Sequence, residues 1–268
     1  MEEDIRLYDG WCNYDLYHRS NTDGFTFGSV RSLDYGIYLT DITIGGTPER
    51  DISFVSVAGR NGDLLIDNKR WKNIDITYHC AIATNFADRF DRFRNDLLQQ
   101  TGYQRITDTI YPDVFRMGVI KQPINPETMR RNRTGKFDIV FNCKPQRFMH
   151  IQQYTTTLTA DHINEATGAA CYHNTSGQPA RPLITVYGTA PGTLTVGNVT
   201  IDILALTDHI TIDCDLMTAY RQEGDAAVEN KNADIYAPEF PELALGENRI
   251  SWTGGITQVD ICPRGWML

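Results

Sequence analysis

The hydrophobic and polar positions of the chain follow two periods. From Thr84 to Gln100 the apolar residues Phe86, Phe90, Phe93 and Leu97 recur at steps of four, three and four. That spacing places them on one stripe of a helix with 3.6 residues per turn and predicts an α-helix over about 84–101, laid across a sheet. Thr84 or Asn85 can cap its start, Asp88 suits the positive end of the helix dipole, and Gly102 can take the left-handed turn just past the end. Asp88 with Arg92, and Asp91 with Asn95, fall four residues apart on the wet face.

Almost everything else reads as strand. Residues 37–44 between Gly36 and Gly45, residues 51–57 and residues 74–82 are β-branched and aromatic runs closed by turn residues. Phe137, Ile139 and Phe141 share one face at period two. Gly59-Arg60-Asn61-Gly62 is a tight-turn signal, since Asn-Gly supplies the positive φ angles of a two-residue hairpin. In the second part, residues 181–188, 193–196, 199–204 and 209–216 are short runs at roughly 8–12-residue spacing, as in a sandwich or barrel. Gly197-Asn198 reads as a hairpin turn, and Phe240 to Gly255 supplies a proline, a Gly-Glu-Asn turn and a further strand. No repeat of solenoid or propeller period is present. The prediction is a mainly β protein with one helix, its second part an all-β sandwich.

Length and charge divide this chain in two. Its 268 residues, 41% of them apolar, are enough for a sizeable core and long for a single domain. Residues 1–150 hold 20 acidic and 20 basic side chains, whereas residues 151–268 hold 14 acidic and 5 basic, so the whole net charge of −9 falls in the second part. The charge shift coincides with the change from Lys-Pro-Gln-Arg-Phe to a Gln- and Thr-rich stretch at 145–157, which predicts domains at 1–148 and 149–268. A pI near 5.1 argues against a protein whose main task is gripping nucleic acid. The acidic Met1-Glu2-Glu3-Asp4 start predicts a soluble chain that no signal peptide exports, and no run approaches the roughly 18 apolar residues of a membrane helix. Six cysteines, at 12, 80, 143, 171, 214 and 262, form no Cys-x-x-Cys pair and keep no zinc-ligand spacing with histidine, so reduced thiols are expected. Asn132, Asn174 and Asn198 fit the glycosylation pattern, which carries no weight without a secretory route.

Candidate chemistry is sparse. The nucleophile elbow, the phosphate-binding glycine loops and His-Glu-x-x-His are all missing from the sequence. Asp208-His209 and Asp161-His162 are adjacent pairs, and adjacent strand residues point to opposite faces, so neither is expected to work as a dyad. Asp213 and Asp215 would share a strand face and could begin a site for a hard cation, but the four or more further oxygens it needs are not in view. A β-sandwich hydrolase using these two carboxylates is the third of three functional readings. Trp252 and Trp266 suit a core as well as they suit stacking on a sugar. The expectation is no catalytic, cofactor-binding or metal residue, and no enzyme.

The order of features is nonetheless specific. Gly24 to Leu39, then Val57-Ala58-Gly59-Arg60-Asn61-Gly62, then the helix, then Gly135 to Phe148 resembles the distal tail (Dit) proteins of long-tailed, non-contractile bacteriophages. The likeness continues through Asn174 to Gly188, Ile212 to Tyr220, Phe240 to Gly255 and the terminal Pro263 to Leu268. Residues 1–23 extend beyond the usual start of that family. The resemblance implies a tail-tube-like, ring-forming N-terminal domain and a galectin-like C-terminal sandwich. It implies a structural virion protein that forms a hexameric ring around a DNA-passing lumen at the tail tip. Such a ring joins the major tail tube protein to a tail-tip or tail-associated lysin-type protein and gives receptor-binding or adsorption proteins a platform. Before assembly the protein would reside in the host cytoplasm, without membrane or cofactor. The runner-up is an adsorption protein whose C-terminal sandwich docks host cell-wall polysaccharide.

One surface follows from charge. Residues 116–147 carry eight basic side chains against Glu127 and Asp138. A ring built head to tail presents two different, complementary surfaces on each subunit. Arg116, Arg130, Arg131, Arg133 and Lys136 are therefore the expected contact with an acidic face of a neighbouring subunit or the tube, and the acidic second domain is expected to face outward.

Overall fold

The computed structural model describes residues 23–129, 133–224 and 226–268. Among them the helical period yields one α-helix, α1 (Phe86–Leu98), and the remaining regular structure is strand with a few 3-10 turns. The chain divides between Gln146 and Arg147 into two units, each around its own apolar core.

The first unit holds β1 (Phe25–Phe27), β2 (Val30–Arg31), β3 (Ile37–Ile44), β4 (Arg50–Val55), β5 (Leu64–Trp71), β6 (Ile74–Ile82), α1, β7 (Gln104–Asp108), β8 (Val114–Ile120), β9 (Glu127–Met129) and β10 (Thr134–Cys143). An antiparallel sheet runs in the order β2-β1-β7-β8-β10-β6-β3, β9 pairs with the start of β10, and β4 with β5 forms a separate hairpin. Period two in β10 buries Phe137, Ile139, Phe141 and Cys143 on one face. Against that face α1 lays its stripe of Phe86, Phe90, Phe93 and Leu97, all buried, each worth about 1.5–3 kcal/mol in transfer from water. Phe25 sits at the centre, edge-on to Tyr78 at 5.3 Å, to Phe141 at 5.9 Å and to Phe93 at 6.2 Å between ring centroids. The buried Tyr78 hydroxyl donates to Asp108 Oδ2 at 2.6 Å, and Asp108 Oδ1 accepts the Ile110 and Tyr111 N–H groups that turn the chain after β7.

Both ends of the helix can be read physically. Asn85 stands in the left-handed conformation at φ 52°, and its side chain makes no capping bond. The Phe86 N–H instead donates to the Arg133 carbonyl at 3.0 Å, so the β9–β10 turn supplies the acceptor expected from Thr84 or Asn85. Asparagine serves here because it tolerates a left-handed backbone where β6 doubles back into the helix. Gly135 lets Phe86 approach: a Cβ there would lie 2.3 Å from the phenyl ring. Asp88 pairs with Arg92 at 2.7 Å as the spacing predicts, Asp91 takes Arg94 rather than Asn95, and Gly102 has φ 69°.

The second unit holds β11 (Arg147–Met149), β12 (Thr156–Thr159), β13 (Ala170–Asn174), β14 (Leu183–Gly188), β15 (Gly192–Val196), β16 (Val199–Ile203), β17 (His209–Asp213), β18 (Thr218–Arg221), β19 (Glu229–Asn230), β20 (Ile235–Tyr236), β21 (Gly246–Trp252), β22 (Ile256–Cys262) and β23 (Trp266–Met267). One sheet runs β12-β22-β14-β17-β18-β19 and the other β13-β21-β15-β16-β20. Ile184, Val186, Ile212 and Val259 from the first meet Leu194, Val196, Ile201 and Ile250 from the second in one buried cluster, which makes the unit a β-sandwich. Gly197-Asn198 closes the β15–β16 hairpin as expected, with Gly197 at φ 59°. Trp252 and Trp266 pack against this core, and Trp266 donates its indole N–H to the Pro179 carbonyl at 3.0 Å. β11 pairs with β23, tying the two ends of the unit together.

Candidate functional site

Asp215 and the Asp208-His209 pair are placed differently from the sequence expectation, whereas Asp161-His162 is not. β17 ends at Asp213, so Asp215 lies in the following turn and the two do not share a strand face. Asp213 is buried and committed: Arg264 grips it with two bonds of 2.8 and 3.0 Å, and its Oδ1 also accepts the Asp215 and Leu216 N–H groups. Burial disfavours its charge, but the Arg264 guanidinium and the two amides outweigh that and hold its carboxyl below the usual range. Such a carboxylate is a structural anchor, not half of a cation site. Asp208 and His209, by contrast, do touch, with Oδ2 and Nδ1 2.6 Å apart. Asp208 precedes β17, so strand alternation does not apply to it, and Arg221 also approaches this carboxylate, at 3.5 Å. Asp161 and His162 do not pair, because the His162 ring turns back to cap Thr159. Among the described residues no cluster of three or more His, Cys, Asp and Glu side chains is arranged to hold a metal, and no helix is long and apolar enough to cross a membrane. Cys80, Cys143, Cys171, Cys214 and Cys262 are free thiols, as expected for those five, while Cys12 lies outside the described residues.

The basic segment is split. Arg130 and Arg131 lie outside the described residues. Arg133 is exposed at φ 50° in the turn before β10, and Lys136 is exposed on β10 opposite Glu127 of β9. Arg116 is half-buried on β8; burial raises the pKa of Tyr78 and Cys143, and the Arg116 charge offsets only part of that rise. The register pairs Gly118 with Cys143, so at about 3.4 Å per residue Arg116 lies roughly 30 Å along the strands from Lys136. Arg133 and Lys136 both lie exposed near the start of β10, and Arg116 lies toward its other end.

The most conspicuous surface is one the sequence reading passed over. In the β4–β5 hairpin, Phe54 faces Leu65 with Ile52 beside them on one side, while Val55 faces Leu64 with Ile66 beside them on the other. All six are exposed, Phe54 to 65% and Leu65 to 54%. The base of the hairpin is charged: Arg50 pairs with Asp67 at 2.8 Å, Arg70 with Asp51 at 2.5 Å and Lys72 with Glu49 at 2.8 Å. The Arg50 guanidinium and the Lys69 N–H hold Asp67 below the usual carboxylate range. A bulge opposite Asp51, with Lys69 at φ 55°, kinks the strand between the charged base and the apolar end. The tip is not the two-residue Asn61-Gly62 turn expected. Residues 56–63 span it, with Arg60 N–H donating to Val57 O at 3.2 Å and with Gly59 and Gly62 each left-handed. An isolated hairpin is marginal in water, and an exposed apolar patch of this kind is the physical signature of an interaction surface. The available signal was the run Leu64-Leu65-Ile66, which mirrors Ile52 to Val57 across the turn.

No protein-family model and no curated protein matches the chain. Among solved structures, the Dit protein of phage SPP1, described as a paradigm of the hub adsorption apparatus of phages infecting Gram-positive bacteria, matches with a TM-score of 0.69 at 12% identity, over 92% of this chain and 100% of that one. A chain of the phage p2 baseplate in its activated, strontium-bound conformation gives 0.45 at 9% identity, over 89% and 98%. What the first comparison establishes is architecture: the chain has the fold of the SPP1 Dit protein.

Proposed function

We propose that the chain is a non-enzymatic tail-hub protein of a long-tailed bacteriophage. It assembles into a hexameric ring at the distal end of the tail, joins the tail tube to the tail-tip or tail-associated protein, and gives receptor-binding proteins a platform. The first unit forms the ring and the second, a galectin-like sandwich, faces outward with its surplus of negative charge. The observation that carries this reading is a Dit fold that leaves a hairpin apolar on both faces. A free monomer gains nothing from exposing Phe54 and Leu65, whereas a subunit seated against neighbours buries them at about 25 cal/mol per Å².

The test is a Phe54→Ser, Leu65→Ser double variant. Both side chains are exposed, so unfolding stability should change by no more than about 0.5 kcal/mol per site. Light scattering should show the wild-type assembly falling to smaller species while circular dichroism and melting stay unchanged. An assembly that forms as well as wild type would remove the hairpin from the account.

A further inference from the structure

We propose that Asn61-Gly62, at the tip of the β4–β5 hairpin, is a self-modifying site. The chain deamidates there without an enzyme, and the charge so created keeps aged chains out of an assembly. The reaction needs an asparagine side chain and the main-chain nitrogen of the next residue. That nitrogen gives up its proton and attacks the side-chain carbonyl carbon, and the new C–N bond closes a five-membered succinimide. The Nδ2 group takes up a proton and leaves as ammonia. Water then opens the ring at either carbonyl, leaving aspartate or isoaspartate. Water is the only co-reactant, and nothing is oxidised or reduced.

Asn61-Gly62 is the one Asn-Gly pair among the 268 residues, so here alone the attacking nitrogen belongs to a residue with no side chain in the way. The space around Gly62 is open: a Cβ added there would meet nothing within 4 Å, and its backbone is left-handed at φ 81°. Strand pairing ends at Val55 with Leu64, so residues 56–63 lie outside the ladder, all of them exposed. The tip can therefore turn into the ring-closing geometry without breaking a strand hydrogen bond. Asn68 in the same hairpin is the opposite case. The Lys69 N–H that would have to attack it donates to Asp67 Oδ1 at 2.7 Å, and the Asn68 side chain is bonded to Asp51. Asn174 in the second unit is buried, its carboxamide donating to the Leu243 carbonyl at 3.0 Å and accepting the Ser176 N–H at the same distance.

The product places a new negative charge between Arg60 and Asp63, next to the exposed apolar pair Val55 and Leu64. Isoaspartate also lengthens the main chain by one methylene within the turn. Burying an added carboxylate against a neighbour is costly unless a cation meets it. A hairpin already seated against another subunit is held still and shielded from water, so its tip converts slowly. Deamidation thus falls on chains that have stayed unassembled. The chemistry at Asn61 stands apart from the tail-hub reading, whereas its consequence for assembly rests on that reading.

The full-length protein would be held in warm, mildly alkaline buffer, sampled over days and mapped by mass spectrometry after trypsin. Cleavage after Arg60 and Lys69 puts Asn61 and Asn68 on one peptide, where fragment ions locate the mass gain. Labelling by isoaspartyl methyltransferase reports the isoaspartate. Asn61 should convert roughly tenfold faster than Asn68, and Gly62→Ala should slow it by about the same factor. Asn61→Asp, the product mimic, should assemble less than Asn61→Gln at equal concentration, read as mass by light scattering. The chemistry is overturned if Asn61 converts no faster than Asn68, or if Gly62→Ala leaves its rate unchanged. The consequence is overturned if Asn61→Asp assembles as well as Asn61→Gln. A wild type that stays monomeric would contradict the tail-hub reading and this consequence together, while the peptide rates still decide the chemistry.

Discussion

Asp213 and Arg264 show how one ion pair can organise a corner of a sandwich. The carboxylate closes the turn after β17 through two amides, and the guanidinium comes from a residue held left-handed at φ 55° whose N–H donates to the Gln152 carbonyl at 2.9 Å. Replacing Arg264 with Met leaves the buried carboxylate without its cation. Losing one partner of a fully buried pair costs about 3–5 kcal/mol, and because Arg264 keeps 29% exposure a loss of about 2 kcal/mol at pH 7 is expected. The pH dependence has a definite sign. The folded pKa of Asp213 is depressed, so the pair's contribution is fully present above the unfolded value of about 3.9 and is lost as pH falls through the folded value. Denaturation curves of wild type and Arg264→Met should therefore converge in acid and separate above about pH 4. A gap that does not depend on pH would refute this account of the pair. The sequence shows Asp213 and Asp215 two apart but not that the strand stops between them, nor that Arg264, distant along the chain, supplies the counter-charge.

Helix α1 was legible in the sequence because one of its faces is wet and the other dry. Phe86, Phe90, Phe93 and Leu97 stand out against charged neighbours only because they are buried together. β10 was legible for the same reason at period two. β5 was not, since a strand exposed on both sides carries no inside-outside alternation, and Leu64-Leu65-Ile66 running into Asp-Asn-Lys-Arg looks like neither element. The start of α1 was half legible: Asn85 marks it, but its acceptor, the Arg133 carbonyl, comes from a hairpin far along the chain. That junction yields a prediction. A Gly135→Ala variant pushes a methyl group into the Phe86 ring and toward the Glu127 carbonyl 2.9 Å away, so it should lose about 1–3 kcal/mol, seen as a lower melting temperature. Pairing it with Phe86→Leu should recover part of that loss, and no recovery would mean that the backbone, not the ring, sets the limit.

At the scale of the whole molecule, charge and exposed apolar surface both point to partners. The basic excess of residues 116–147 was plain from composition, yet of the described candidates only Arg133 and Lys136 are exposed near the start of β10, while Arg116 is half-buried toward its other end. Composition records how many charges a segment holds, whereas register decides which of them meet. If these two residues touch an acidic face of a neighbour, an Arg133→Glu, Lys136→Glu variant should weaken assembly, most strongly at low salt, while Arg116→Gln should alter stability more than assembly. Equal assembly by all three proteins, measured as mass against concentration, would set that contact aside.

The central claim is that this chain with a Dit fold builds a ring. The most direct measurement is the solution mass of the purified protein by light scattering, with negative-stain images of the same sample. From a chain of 30.4 kDa the account predicts a species of about 182 kDa with six-fold rings and an open centre. A monodisperse 30.4 kDa monomer at every concentration, with the β4–β5 hairpin left in solvent, would contradict it.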